Sequence, residues 1–257
     1  MILRRVIQHV KKQEWTAIWM DLVIVVVGVF IGIQVSNWNA ARTDEVRAKA
    51  YLARIEGNLN TDLQAIQRRE VFWRQVIDYG NSAIRYAETG ELVDGSAWKT
   101  VLAFYQASQL WQWASNDTTY QELSNGGELG LIKDGSLRDA LTQYYAEGTG
   151  DDLDYILSMQ PEYRKIVRGL TPVVVSNQVW AKCWKLPNAY EQYLLDCESP
   201  MSEADAQIVL DNYLKDPSLL SELRFWNTNQ DVAVKLIANN KSAVAAMLKR
   251  MEMATNK

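Results

Sequence analysis

The chain has 257 residues, 48% of them hydrophobic and 23% charged, which allows a sizeable core in one or two domains and excludes wholesale disorder. Five prolines and 13 glycines exclude collagen-like and low-complexity classes. A formal net charge of −4 offers no global basic field for nucleic acid, and the one histidine, His9, nearly excludes multi-histidine metal sites and internal Ser-His triads.

Residues 1–12, MILRRVIQHVKK, put Ile2, Leu3, Val6, Ile7 and Val10 on one helical face and Arg4, Arg5, Lys11 and Lys12 on the other. That pattern predicts a short amphipathic helix on an anionic leaflet, with His9 at the boundary as an ordinary surface histidine. The run from Thr16 to Val35, TAIWMDLVIVVVGVFIGIQV, follows with a single charge, Asp21. As a helix it spans roughly 30 Å, the thickness of a bilayer's hydrocarbon core. Its Leu, Ile, Val and Phe residues contribute about 4–7 kcal/mol to insertion, against about 2.5–3.5 kcal/mol for a central aspartate. Trp15, Trp19 and Trp38 flank the run as interfacial anchors. No A-x-A-like cleavage site follows Gln34-Val35-Ser36, which favours a retained anchor over a cleaved signal or a buried core helix.

The first 14 residues carry +3 and the remainder −7. The positive-inside rule therefore predicts a cytoplasmic N-terminus and an exported C-terminal part. The expected division is a basic stub (1–14), a transmembrane helix (15–36) and a helical periplasmic domain (37–257) at a bacterial inner membrane. Inside the span, Gly28 and Gly32 form a G-x-x-x-G pair that Ser36 extends. At helical spacing, Asp21 and Val35 lie about 20° from Gly28 around the axis, and Gly32 about 40°. Asp21, Gly28, Gly32 and Ser36 thus form a candidate helix-packing face.

Beyond residue 40 no useful strand alternation occurs, and helical spacing is widespread. A long helix is expected over 40–88, continuing the span, with Gly57 and Gly80 as weak points. Ser96 is expected to cap a helix over 97–113. A short helix to Asn125 follows, stopped by Gly126-Gly127. Asp134-Gly135-Ser136 opens a helix over 137–147, and another is expected over 151–168 with a kink or restart at Pro161. Pro172 starts a helix through about Trp184, Ser202 and Glu203 open one to Leu214, and Asp216-Pro217 caps a last one to about Met253, broken near 227–229. The expected fold is all-α, a membrane helix followed by a bundle-like domain.

Cys183 and Cys197 have the wrong spacing for C-x-x-C redox chemistry or zinc. In an oxidising compartment they would close a hairpin over Pro187-Asn188; otherwise they are two buried thiols. Trp111, Trp113 and Tyr120, near Gln112, Asn116 and Asp117, are candidate ligand-binding aromatics, although aromatics at helical spacing usually fill a core. Asp151, Asp152 and Asp154 lack a calcium-loop spacing and read as an acidic helix start. G-x-S-x-G and P-loop patterns are absent, and no catalytic residue, metal ligand or cofactor is expected.

The run from Gly28 to Asn39, with the basic stub before it, resembles a bacterial family known only as a domain of unknown function. Its members share a short basic N-terminus, one span ending in a G-x-F-I-G-I-Q-V-x-N-W-N-like run, and a helical C-terminal region. The resemblance covers residues 3–42 specifically and Thr119 to Tyr145 as well, and is loose over the last third. It implies an inner-membrane location and carries no activity, ligand or site residue. The expected partners are the lipid bilayer and a homo-oligomer or larger membrane complex. The leading expectation is a scaffold or accessory subunit; the alternative is a periplasmic ligand sensor signalling through a partner.

Overall fold

The computed structural model describes residues 15–112, 114–148, 160–188 and 191–255. Readings placed on the stub, on His9, on Trp113 and on Asp151, Asp152 and Asp154 lie outside them. Eight α-helices and one two-stranded hairpin make up the regular structure of the described residues, so the fold is all-α.

Helix α1 runs unbroken from Trp15 to Thr89, 75 residues, or about 110 Å. No proline precedes Pro161, so nothing in this stretch removes a helical hydrogen bond. From Trp19 to Trp38 every large hydrophobic side chain is exposed, and the most apolar 18-residue window has a mean hydropathy of 2.4 with none of it buried. This part of the helix is long and apolar enough to cross a membrane. Burial begins at Tyr51 and Leu52 and becomes complete at Ile55, Leu59 and Ile66, at helical steps of four and seven.

The last helix, α8 (Leu219–Thr255), returns antiparallel along the second half of α1. Arg224 pairs with Glu88 and Lys241 with Glu70, so the two numberings run in opposite directions. Between them the chain lays down α2 (Ala97–Gln106), α3 (Thr118–Asn125) and α4 (Gly135–Thr142), which continues into a π-turn to Gly148. Helices α5 (Glu162–Leu170) and α6 (Val173–Gln178) follow, each starting directly after a proline. A π-turn through Cys183 leads to β1 (Trp184–Asn188) and β2 (Glu191–Leu194), and then to α7 (Glu203–Lys215).

Two apolar clusters are strung along the α1–α8 pair. The first holds Ile55, Leu59, Phe72 and Trp73 of α1 against Ile237, Val244 and Met247 of α8, with α3 and α4 alongside. The second holds Ala83 and Tyr86 of α1, Leu223 and Trp226 of α8, and the buried faces of α2, α5 and α7. Side chains fix the helix starts. Ser96 caps α2 by accepting from Lys99 N, and Asp134 caps α4 by accepting from Ser136 N and Leu137 N. The Glu203 carboxylate accepts from Ala97 N and Trp98 N, which bonds the first turn of α7 to that of α2 and holds its pKa down, together with a hydrogen bond from Ser96.

Three sequence expectations need correction. Helix α2 ends at Gln106, not near 113. Its last carbonyls are taken by other helices: Tyr163 Oη donates to Phe104 O at 2.6 Å and Trp226 Nε1 to Ala107 O at 2.9 Å. Helix α8 has no break at 227–229. Asn227 is buried there and donates to Asn81 Oδ1 of α1 at 2.8 Å, so a residue with poor helix propensity is held by a tertiary bond. Finally, the expected hairpin is made of two short strands over 184–194 where no strand pattern is legible, and Pro187 and Asn188 lie in β1. It is set by local pairing and by the cystine below, not by hydrophobic alternation.

The two expected weak points of α1 differ in kind. A Cβ at Gly57 would meet nothing within 4 Å, whereas one at Gly80 would lie 2.2 Å from Asn227 Oδ1. Gly80 faces Asn227 of α8. Gly57→Ala is therefore expected to stabilise by about 0.5–1 kcal/mol through propensity alone. Gly80→Val is expected to destabilise by about 1–3 kcal/mol, because Asn227 must move and lose its bond to Asn81. Thermal unfolding of both variants in detergent checks the pair, and equal shifts would contradict the close contact.

Candidate functional site

The candidates on the apolar part of α1 stand apart from the rest. Gly28, Gly32 and Ser36 are exposed on α1, and nothing lies within 4 Å of a Cβ built on either glycine. Asp21 is partly exposed on the same helix. The bundle brings none of these four residues to a partner among the described residues.

Cys183 and Cys197 are joined, with Cα atoms 5.2 Å apart. The bridge closes the hairpin at its base, where Leu195 N donates to Cys183 O at 2.8 Å and Gln106 Nε2 donates to the same carbonyl. Trp98 Nε1 donates to Cys197 O, so both ends of the bridged segment are tied to α2. Leu194 enters the first apolar cluster, and Glu191, Gln192 and Tyr193 stand beside α1.

The candidate aromatics separate. Tyr120 is core, 4% exposed and stacked on Tyr145 at 5.1 Å. Trp111 is half-buried on the loop after α2, edge-on to Phe72 at 5.4 Å. The Arg69 guanidinium lies 4.5 Å from the centre of the Trp111 ring, and Arg69 Nε donates to Gln112 O at 2.8 Å. Trp111 and Phe72 form the floor of an open groove of about 380 Å³ between α1 and β2. On α1 its wall is Gln64, Gln67, Arg68, Val71 and Gln75, a stripe at helical spacing; Glu191, Gln192 and Tyr193 of β2 face it.

One turn of α1 away lies a residue that periodicity cannot single out. Asp62 is 2% exposed in an otherwise apolar cluster. Its carboxylate accepts from Asn116 N at 2.8 Å and from Tyr144 Oη at 2.9 Å. It thereby binds α1 to the Trp111 loop and to the π-turn after α4. Burial pushes its pKa up to about 6, with Asp117 acting in the same direction. The two hydrogen bonds and Arg69 oppose the rise without cancelling it. The same burial and the neighbouring Asp62 charge push Tyr144 far above the phenol range, so it remains a donor. Among the described residues, no group of three or more His, Cys, Asp or Glu side chains is gathered as a metal site.

No family model, curated protein or solved structure matches the chain. The site must be read from its own geometry. Sequence reasoning singled out Trp111 and missed Asp62, Tyr144, Arg69 and the glutamine stripe. The stripe had a signal, Gln64, Gln67, Val71 and Gln75 at steps of three and four, but polar residues at that spacing also describe any solvated helix face.

Two outcomes follow from this geometry. Asp62 has a folded-state pKa above its unfolded value, so the unfolded chain releases the proton first as pH rises. The resulting penalty is absent below about pH 4 and complete above about pH 6, reaching on the order of 3 kcal/mol. Asp62→Asn should therefore gain stability relative to the parent chain as pH rises from 4 to 7, by a few kcal/mol at most. A difference in melting temperature that does not change with pH would contradict the assignment. Reducing the Cys183–Cys197 bridge should cost about 3 kcal/mol on the loop-entropy account, read as a lower melting temperature with dithiothreitol. No change on verified reduction would contradict that account.

Proposed function

We propose that the protein is a single-pass inner-membrane scaffold or accessory subunit without catalytic activity. Its N-terminus is cytoplasmic, and its helical domain stands in the periplasm, self-associating or docking on a larger membrane complex. One observation carries the reading: the same uninterrupted helix supplies the apolar stretch and the central rod of the folded domain. A domain tethered only for location would need no more than a flexible linker. A continuous helix fixes distance and orientation relative to the bilayer, which is what a structural subunit requires.

Further observations support it. The exposed apolar band between Trp15 and Trp38 suits lipid contact, and the tryptophans suit its two interfaces. The +3 charge of the first 14 residues supports a cytoplasmic N-terminus, and the cystine suits an oxidising compartment beyond the membrane. The likeness of residues 28–39 to an uncharacterised bacterial membrane family points to the same compartment. Gly28 and Gly32 supply a face on which a second span can pack closely.

A second reading, a ligand-sensing module that signals through a partner, is favoured by the groove at Trp111. It shares the same anchor and orientation.

Affinity purification of the intact protein from membranes in mild detergent tests the leading reading, with mass and composition determined together. A homo-oligomer or a defined complex is expected, and a lone monomer under several mild detergents would overturn it. Gly28→Leu and Gly32→Leu are expected to lower crosslinking yield between copies, because each side chain separates the two backbones. Unchanged yields would remove that face from the account. An alkaline phosphatase fusion after Lys257 is expected to be active, and an inactive fusion that is well expressed would reverse the topology.

A further inference from the structure

We propose that the groove between α1 and β2 is a binding site for a short uncharged carbohydrate, of about two pyranose units. The proposal rests on the second reading above, the ligand-sensing module, and gives that reading a substrate class.

Charge decides the class first. Among the described residues, two ionic side chains line the groove, Arg68 and Glu191, and they pair with each other at 3.6 Å across it. The lining is therefore neutral overall and offers no field to attract an anion or a cation. The remaining polar lining is carboxamide: Gln64, Gln67 and Gln75 on α1 and Gln192 on β2. Each presents one acceptor and two donors on a rigid plane, which complements neighbouring hydroxyls or an acetamido group. The first three donate to and accept from no other described residue, so their amides are available. Gln192 reaches across to Leu110 O at 3.5 Å, at the outer limit of a hydrogen bond.

The apolar part of the lining fits the same ligand. The half-buried Trp111 and Tyr193, 45% exposed, supply the accessible aromatic surface, with Phe72 buried beneath Trp111 at 1% and the Tyr193 phenol donating to Glu191 Oε2. Sugars have C–H faces that pack on aromatic side chains and hydroxyl edges that need donors and acceptors around them. An aromatic floor with a carboxamide rim supplies both. From Gln64 to Gln75 the groove follows α1 for about 16 Å, which suits two sugar rings better than one. A depression of similar size between α4 and α8 also has carboxamides, Gln143, Asn239 and Asn240, but its one aromatic residue is Tyr144, against Phe72, Trp111 and Tyr193 in the groove.

The position is also prepared rather than incidental. Arg69 covers one face of the Trp111 ring and bonds the next carbonyl, and Asp62 holds the same loop at Asn116. The cystine and Leu194 hold β2 against the domain. Both walls are therefore fixed before a ligand arrives, which lowers the ordering cost of binding.

The test uses the full chain in nanodiscs, with saturation-transfer NMR and calorimetry. The probes are N,N′-diacetylchitobiose, cellobiose and the dipeptide Ala-Ala. Saturable binding of at least one disaccharide is expected. Tyr193→Ala and Gln67→Ala, both at exposed positions, should weaken it by about fivefold each, the size of one stacking or hydrogen-bonding contact, with the melting temperature unchanged. A preference for the acetylated disaccharide would assign the glutamines to its amides; equal binding would assign them to hydroxyls. Disaccharide binding indifferent to both substitutions would overturn the site. Binding of the dipeptide alone would overturn the sugar assignment and leave the sensor reading in place. Silence with all three probes would overturn the proposal and weigh against the sensor reading too.

Discussion

A helix of 75 residues is not stable by itself in water over its whole length, and the way each part of α1 is supported determines the rest of the architecture. Over residues 18–35 the side chains other than Asp21 and Gln34 are apolar or small all round, a surface suited to a bilayer without any protein partner. Over the last part α8 lies alongside, and the two apolar clusters are essentially the space between this pair and the shorter helices packed on it. The stretch from Trp38 to Lys49 has neither support and is held by charges. Arg42 lies over the Trp38 ring, Lys49 pairs with Glu45, and Arg47 pairs with Glu128 from the turn after α3. Exposed pairs of this kind contribute only a few tenths of a kcal/mol each, so the junction is the part of the rod most easily bent.

On the proposed function, that division would let the domain be both anchored and oriented. Motion of the apolar segment reaches the bundle through a continuous helical backbone, and the weakly supported stretch is about three turns long. The close approach at Gly80 and the ion pairs Glu70–Lys241 and Glu88–Arg224 fix the register of α8 on the rod. The Asp62 node then fixes the Trp111 loop to it, at an electrostatic cost that grows as the carboxyl ionises. Arg69 faces both Asp62 and Trp111. The buried charge and the groove wall thus share one side chain, and a change at either is felt by the other.

Features with a local cause were the ones legible from the residues. The apolar span, the long helix beyond it, the caps at Ser96, Asp134 and Ser202, and the stop at Gly127, with φ of 67°, all depend on a few neighbouring residues. Features that depend on a distant partner were not. Gly80 and Asn227 each look like a helix breaker in isolation, yet each is tolerated because the other is there. Helix α2 ends early because Tyr163 and Trp226, far along the chain, take its carbonyls. Asp62 sits in the sequence between polar and apolar neighbours like any surface acid, and its burial follows only from the loop that crosses it. Trp111 and Tyr120 looked equivalent in sequence, and packing put one on a groove floor and the other inside the core.

The proposed function requires α1 to remain one helix from its apolar stretch into the bundle. Spin labels at Ser36→Cys and Asn60→Cys, both exposed positions, measure it directly in nanodiscs, because the native cysteines are bridged and take no label. A continuous helix places the two backbones about 36 Å apart, and pulsed electron-spin distances should show one narrow population near that value. A broad distribution, or a population much shorter than this, would mean that the rod breaks at the membrane surface and that the domain is merely tethered.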